Sequence, residues 1–186
     1  MTAREIPGSE RLIVVVGPSS AGKDSVISAW LDTVPAAQRP RRARRTITRA
    51  FDPNEDHEPL QAEAFLTEAA AGAFAFHWQA HGLHYGIRHA QLAPLHAGAW
   101  VVMNGSRAHL PLLRRHAPSA QVVEIHAPPQ VLQARLHTRG REPSATRQQR
   151  LARQVEQEAG AALRIENTGT LAEAVGRIDG WWRGLG

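Results

Sequence analysis

LIVVVGPSSAGKDS, residues 12 to 25, decides the fold of this chain. It opens with five consecutive apolar residues, which is typical of a strand buried on both faces of a parallel sheet. Gly17, Gly22 and Lys23 follow with the spacing of a Walker A phosphate loop, Gly-x-x-x-x-Gly-Lys-[Ser/Thr]. Apolar residues then recur at helical spacing over residues 26 to 34. The order is strand, loop, helix, an arrangement that binds phosphate.

The remaining chain alternates between strand and helix patterns. Short apolar runs predict further buried strands at Trp100–Met103, Gln121–Ile125 and Leu163–Glu166. Helical periodicity predicts helices at Arg107–His116, Val131–Arg139, Ala145–Ala159 and Leu171–Leu185, and a small helix within Gln61–Ala75. Strands that alternate with helices indicate an α/β fold with a parallel sheet.

Length and composition narrow the class of protein. The 186 residues suffice for one domain with a sizeable core, and 42% apolar with 21% charged residues is ordinary for a globular protein. Because the chain has no cysteine, disulfides and thiolate zinc sites are excluded. The apolar run that begins at Leu12 is too short for a signal-peptide core or a membrane span, so we expect a cytoplasmic protein.

The basic residues are almost all arginine. The formal net charge is +5, and of the 22 lysine and arginine residues only Lys23 is a lysine. Genomic composition bias is the simplest explanation for the arginine content. The single lysine nevertheless falls where a flexible point charge must reach the β- and γ-phosphates of a nucleotide, a task that a planar guanidinium performs poorly.

Four further stretches carry a family resemblance: RTITR (45–49), HWQAHGLHYG (77–86), NGSR (104–107) and RGRE (139–142). With the phosphate loop, their order resembles the guanylate-kinase-like branch of the P-loop kinases, and in detail the ribose 1,5-bisphosphate phosphokinases. The resemblance extends from about residue 11 to about residue 174.

The resemblance implies a fold, a reaction and a division of the chain. The fold is the three-layer α/β fold of P-loop kinases with a parallel five-stranded sheet. The reaction converts ribose 1,5-bisphosphate and ATP, with Mg²⁺, into 5-phosphoribosyl 1-diphosphate (PRPP) and ADP during phosphonate breakdown. The single domain would comprise a core (about 10–35, 91–138 and 151–186), a small acceptor-binding subdomain (about 36–90) and a lid (about 139–150).

The motifs and the resemblance together assign roles to individual residues. Lys23 and Asp24 of the loop and Arg139 and Arg141 of the lid are the catalytic candidates. The ATP-binding candidates are Gly17, Pro18, Ser19, Ser20, Ala21, Gly22, Lys23, Asp24, Ser25, Arg139, Asn167 and Gly169. The substrate-binding candidates are Arg45, Arg49, His77, Tyr85, Asn104, Arg107 and Arg150. Arg107 is the first candidate for a second acceptor phosphate, and Arg88 is the second.

Asp24 departs from the Walker A pattern, which has a hydroxyl at this position. One hypothesis is an exchange of roles, in which Asp24 supplies negative charge near Mg²⁺ and Asn104, a neutral amide where guanylate kinases carry a carboxylate, orients the site. The alternative is that Asp24 caps the helix, Ser25 binds the metal and Asn104 closes a turn.

Other residues also admit simpler interpretations. The basic segment Arg39–Arg45 can be a solvated face, Arg141 and Arg150 can lie on a helix surface, and Asn167-Thr168-Gly169, which resembles the loop beside the adenine, can be a plain turn. His77, His81 and His84 have a spacing that suggests zinc, but we expect this glycine-containing stretch to be loop-like, with no cysteine partner.

The acceptor and the class of function have alternatives as well. Guanylate kinases read guanine with acidic side chains, whereas His77 suits phosphate or sugar hydroxyls. A guanylate-type nucleoside monophosphate kinase, an inactive guanylate-kinase-like binding module and a nucleic-acid binder are the competing interpretations. We expect a small-molecule substrate, with neither a nucleic acid nor a membrane as partner. The oligomeric state does not follow from the sequence.

Overall fold

The structure is a computed structural model that describes residues 5–51, 56–138 and 160–185. The strands in chain order are β1 (Leu12–Val16), β2 (Arg41–Arg42), β3 (Arg45–Ile47), β4 (His57–Pro59), β5 (Phe74–Ala80), β6 (Leu83–Arg88), β7 (Val101–Asn104), β8 (Gln121–His126) and β9 (Leu163–Glu166). The helices are α1 (Lys23–Thr33), α2 (Ala62–Ala70), α3 (His89–His96), α4 (Leu110–His116), α5 (Pro129–Thr138) and α6 (Leu171–Arg183), with short 3₁₀ helices at Ser9–Arg11 and Arg107–His109.

A parallel sheet of five strands confirms the predicted α/β fold. Its order is β2-β7-β1-β8-β9, so β1 is the central strand. All five residues of β1 are fully buried, which explains why this strand is continuously apolar instead of alternating. None of the described helices is long and apolar enough to cross a membrane.

The chain divides into two compact units. The first, here called the phosphate-loop unit, comprises Val14–Arg39, Gly105–Leu110 and Gln121–Gly186. Within it, α6 packs on α1 through the rings of Trp182 and Trp30, which meet edge to face with centroids 5.6 Å apart. Both rings are buried, and the final helix is thereby fastened to the helix that follows the phosphate loop.

The second unit, here called the hairpin unit, comprises Met1–Ile13, Pro40–Asn104 and Pro111–Ala120. It contains a four-stranded sheet of order β4-β3-β6-β5, in which β5 and β6 form an antiparallel hairpin. The ring of Phe65 from α2 stacks on that of Phe74 from β5 with centroids 4.6 Å apart, and both are buried.

The hairpin corrects one prediction from the sequence. The stretch 77–86 was expected to be loop-like, but it supplies most of β5 and β6, joined at His81-Gly82. Phe74 and Phe76 are both buried, but the register with β6 shifts between them, so β5 does not follow the simple alternation of a half-buried strand. This register shift and the exposed polar side chains of His77 and Gln79 make the strand hard to see in the sequence.

Most element boundaries agree with the prediction to within a few residues, and one predicted helix differs. The segment Arg107–His116 is a 3₁₀ turn followed by α4, because Pro111 lacks an N–H and suits the first turn of a new helix but not the interior of a longer one. The helix predicted at Ala145–Ala159 and the lid at about 139–150 lie outside the described residues.

Candidate active site

The phosphate loop, residues 17–22, joins the buried end of β1 to the start of α1. Gly17 has φ 146°, and a Cβ atom placed on it would lie 1.9 Å from the carbonyl oxygen of Ile125. Gly22 caps α1 in a left-handed conformation with φ 89°. Both positions require glycine, the first because backbone approaches closely and the second because of its conformation. The first-turn amides of α1 have no intrahelical acceptor, and a loop of this kind binds phosphate.

Lys23 lies back along this loop. Its Nζ donates to the carbonyl oxygens of Gly17 and Pro18, each at 2.9 Å. Ser20, between the two glycines, adopts φ 63°, a region that is uncommon for residues with a side chain. The lysine ammonium is thus kept beside the loop by neutral carbonyl acceptors, which an anionic phosphate can replace with a stronger, charge-assisted hydrogen bond.

Asn167 supports the loop from the end of β9. Its side-chain amide donates to the carbonyl oxygen of Ala21 at 2.7 Å, and the residue is only 6% exposed. A Cβ on Gly22 would lie 2.5 Å from the same amide nitrogen. Arg135 of α5 in turn donates to the carbonyl oxygen of Asn167 at 3.0 Å. The side chain of Asn167 is therefore bonded to the backbone of the phosphate loop, whether or not the Asn167 backbone borders the adenine of ATP.

Gly169, the other ATP-binding candidate after β9, lies on the surface. With Thr168 and the first turns of α6 it lines a cavity of about 510 Å³. Thr170 begins α6 with a capping box, in which its hydroxyl accepts from the backbone N–H of Glu173 and the Glu173 carboxylate accepts from the N–H of Thr170. This cap determines where the exposed turn ends and the helix begins.

The start of α1 carries both candidate metal ligands. Asp24 lies in the first helical turn and is partly buried, whereas Ser25 is exposed. A carboxylate near a helix N-terminus is stabilised by the helix dipole. Carboxylate and hydroxyl oxygens are the hard donors that Mg²⁺ takes, so the donor set at the helix start fits this ion.

Arg107 follows β7 and opens the 3₁₀ turn of the phosphate-loop unit. Its Nη1 lies 3.5 Å from Oε1 of Glu124, a carboxylate on β8 whose side chain is 6% exposed. The other oxygen of Glu124 lies 3.6 Å from Nε of Arg164, its register partner on β9. Sequence reasoning overlooked Glu124, although a lone carboxylate within the apolar run of residues 122–125 was a visible signal.

The substrate-binding candidates of the hairpin unit lie on adjacent strands. Tyr85 on β6 pairs with Trp78 on β5, and their rings stack with an interplanar angle of 5° and centroids 5.5 Å apart. The guanidinium of Arg45, on β3, lies 6.0 Å from the centre of the Tyr85 ring, at the limit of a cation–π contact. Arg49 is partly buried beyond the end of β3, and His77 is exposed on β5. The structure thus brings Arg45 and Tyr85 together.

Asn104 ends β7 and is 5% exposed.

Arg88, the second candidate for a second acceptor phosphate, is engaged by two carboxylates. It donates to both oxygens of Glu58 at 2.9 and 2.8 Å and pairs with Glu68 at 2.6 Å. The hydrogen bond from Arg88 lowers the pKa of Glu58 despite partial burial, and both carboxylates raise the pKa of Arg88. An incoming phosphate would have to displace one of them, so this network favours Arg107 over Arg88.

The lid candidates Arg139, Arg141 and Arg150 lie outside the described residues. Across the part of the chain that the structure describes, no group of three or more histidine, aspartate or glutamate side chains is arranged to hold a metal ion. Among these described residues, His77, His81 and His84 therefore do not form such a group.

Comparisons with known proteins bear on the fold and on the family of the chain. No family profile matches the chain. Among curated proteins it is similar to the ribose 1,5-bisphosphate phosphokinase PhnN of Burkholderia pseudomallei, with 44% identity over 173 residues, 91% of this chain and 93% of the relative. It is equally similar to the PhnN protein of Acidiphilium cryptum, with 44% identity over 91% of each chain.

The fold is shared with a solved guanylate kinase from Anaplasma phagocytophilum, with a TM-score of 0.67, 18% identity and coverage of 99% of this chain and 87% of the other. This similarity supports the P-loop kinase fold, whose phosphate loop, central strand and following helix are all described above. Together with the sequence relatives, it identifies the chain as a phosphotransferase, a member of the ribose 1,5-bisphosphate phosphokinase family.

Proposed function

We propose that this protein transfers the γ-phosphoryl group of ATP to the 1-phosphate of ribose 1,5-bisphosphate, forming PRPP and ADP. The observation that carries the proposal is the similarity, over nearly the whole length of both chains, to relatives named for this kinase activity. We further propose that the reaction belongs to phosphonate catabolism in the cytoplasm, with a small-molecule substrate and with neither a nucleic acid nor a membrane as partner.

The reaction requires charge neutralisation more than acid–base chemistry. An oxygen of the acceptor's 1-phosphate attacks the γ-phosphorus, and the bond from that phosphorus to the bridging oxygen of ADP breaks. Because the attacking oxygen is already anionic near neutral pH, no general base is needed to activate it. Catalysis then depends on alignment and on cations that offset the repulsion between two highly charged substrates.

Each of the two substrates has its own set of candidate cationic residues. In the phosphate-loop unit, Lys23 and the amides around it would hold the β- and γ-phosphates of ATP. In the hairpin unit, Arg49 with Tyr85 and Arg45 would hold the attacking phosphate. Stacking between Tyr85 and Trp78 keeps that phenol in one orientation, which supports its use as a fixed ligand. We assign the closing role to Arg139, Arg141 and Arg150.

Mg²⁺, when bound with ATP, neutralises charge on the β- and γ-phosphates. We assign Asp24 to its coordination, directly or through water, with Asn104 in a neutral orienting role. The support for Asp24 over Ser25 is its partial burial in the first turn of α1.

Replacing Asp24 with serine restores the hydroxyl of the common Walker A pattern and removes the carboxylate. We expect Asp24→Ser to raise the Mg²⁺ concentration for half-maximal rate by about tenfold, because one charged ligand interaction is lost. Ser25→Ala is the matched control and should leave the Mg²⁺ dependence within a factor of two. Initial rates over a Mg²⁺ titration at saturating ATP provide the measurement. Retention of both turnover and Mg²⁺ dependence in Asp24→Ser would contradict the assignment.

Arg107 is assigned to the acceptor's second phosphate, at the 5-position. We expect Arg107→Ala to raise KM for ribose 1,5-bisphosphate by about 10- to 100-fold and to change KM for ATP by less than about twofold, because one charge-assisted contact to the sugar phosphate is lost. Arg164→Ala, which removes the other arginine beside Glu124, is the control. Equal effects on the two Michaelis constants would contradict this assignment.

The reaction itself is tested by product identity. The protein is incubated with Mg²⁺-ATP and either ribose 1,5-bisphosphate or GMP, and products are followed by ³¹P NMR. A new diphosphate signal with the sugar bisphosphate alone is the expected result. Turnover of GMP alone would indicate a guanylate kinase with an unusual acceptor site, and absence of turnover with both would indicate a binding module.

A further inference from the structure

We propose that Glu124 is a positioning residue, which orients the guanidinium of Arg107 toward the second phosphate of the acceptor. The inference deepens the proposed function and rests on it for the identity of the acceptor. It concerns a carboxylate that the family motifs quoted above do not include.

The first observation is the burial of Glu124. It is 5% exposed and lies in β8 between Val123 and Ile125, which are fully buried. A carboxylate in such a position is costly unless cations accompany it. A hydrophobic side chain would serve the sheet equally well, so the charge needs a reason beyond packing.

The second observation is the distance between the Glu124 carboxylate and the two arginines beside it. The nitrogen–oxygen distances are 3.5 Å to Arg107 and 3.6 Å to Arg164, longer than the roughly 2.7–2.9 Å of a charge-assisted hydrogen bond. The carboxylate attracts the guanidinium of Arg107 without occupying its donors at short range. A guanidinium has five N–H donors, so it can face a buried carboxylate and still bind a phosphate.

The third observation is where the pair lies within the phosphate-loop unit. The N–H of Gly105, two residues before Arg107, donates to the carbonyl oxygen of Val15 at 2.8 Å. The carbonyl oxygen of Ile125, next to Glu124, lies against Gly17. Arg107 and Glu124 are therefore each within two residues of a backbone group that contacts the junction between β1 and the phosphate loop. In the proposed reaction, the transferred phosphoryl group must arrive at this junction.

These observations assign different roles to the two arginines. The side chain of Arg107 is 20% exposed, whereas that of Arg164 is 62% exposed. An exposed ion pair is screened by water and orients its members weakly, but a largely buried one retains its geometry. Glu124 thus holds Arg107 ready before the acceptor binds, and this preorganisation lowers the cost of ordering the arginine on binding.

The test is a double-mutant cycle read out in Michaelis constants. We expect Glu124→Gln to raise KM for ribose 1,5-bisphosphate by about tenfold, with kcat and KM for ATP within about twofold. In an Arg107→Ala background, Glu124→Gln should change KM for ribose 1,5-bisphosphate by less than about twofold, because the guanidinium that Glu124 orients is absent. Glu124→Asp should restore part of the loss, and Arg164→Gln should match the unmodified protein.

A second readout separates this inference from the choice of acceptor. Binding of inorganic pyrophosphate is measured by calorimetry for the same variants, with thermal unfolding as the check on folding. If the unmodified protein fails to turn over ribose 1,5-bisphosphate, yet Glu124→Gln weakens pyrophosphate binding only when Arg107 is present, the proposed acceptor is wrong and the positioning role stands. Additive effects of the two substitutions, or a lowered melting temperature with unchanged KM and pyrophosphate binding, would overturn the role.

Discussion

Replacement of Lys23 with alanine is expected to lower kcat/KM by about 1,000-fold, because the chain loses the side chain that we assign to the transferred phosphoryl group and to the charge that develops on it. The reason is local, since Lys23 begins α1 and its ammonium already lies at the loop, 2.9 Å from two loop carbonyl oxygens. Lys23→Arg is the matched control. It keeps the charge but replaces a compact ammonium with a planar fork, so only a small part of the activity should return.

The composition of the chain permits a second test without mutagenesis. Lys23 is the only lysine in the sequence, so an acylating reagent has one lysine side chain to modify. We expect acylation at that residue, located by peptide mass spectrometry, to abolish turnover, and Mg²⁺-ATP to protect against it. Full activity in protein acylated at Lys23 would contradict the assignment.

Gly17→Ala is the second substitution with a large expected effect. The added Cβ would lie 1.9 Å from the carbonyl oxygen of Ile125, which is backbone of the neighbouring strand and cannot rotate away. We expect the free energy of unfolding to fall by about 2–4 kcal/mol, from overpacking together with the positive φ of 146°. ATP binding should fall below detection, because the loop must move to relieve the contact.

Gly72→Ala is the matched control for this experiment. Gly72 also has a positive φ, 76°, but a Cβ there meets nothing within 4 Å. Its cost is therefore conformational alone, about 1 kcal/mol, with ATP binding retained. Thermal unfolding and calorimetric titration with ATP measure both variants. Equal losses of stability would show that close packing against Ile125 is not what distinguishes Gly17.

The central part of the fold could be read directly from the sequence because its signals are local. The apolar run of β1, the glycine loop and the helical spacing of α1 lie within residues 12–34, and each element requires only its neighbours to be recognised. The parallel sheet followed from the alternation of strands and helices along the rest of the chain. The family followed from motifs that are contiguous in sequence.

The four-stranded sheet of the hairpin unit was harder to predict. β5 carries the exposed residues His77 and Gln79, and its strand structure depends on cross-strand pairs that the sequence does not show, such as Trp78 stacked on Tyr85. Strand preference is decided by cross-strand neighbours to a greater degree than helix preference, so a polar, histidine-rich strand is easily mistaken for a loop.

By itself, the sequence determined the fold class, the phosphate loop, the family and the residue types available to hold phosphate. Only the tertiary structure decided which partners those residues have. Asn167 bonds to the loop carbonyl of Ala21 across 146 positions, Glu124 joins Arg107 to Arg164, and Arg88 is held by two carboxylates. The physical reason is that buried polar groups must be paired wherever the fold brings a partner, and separation along the chain carries no information about that pairing.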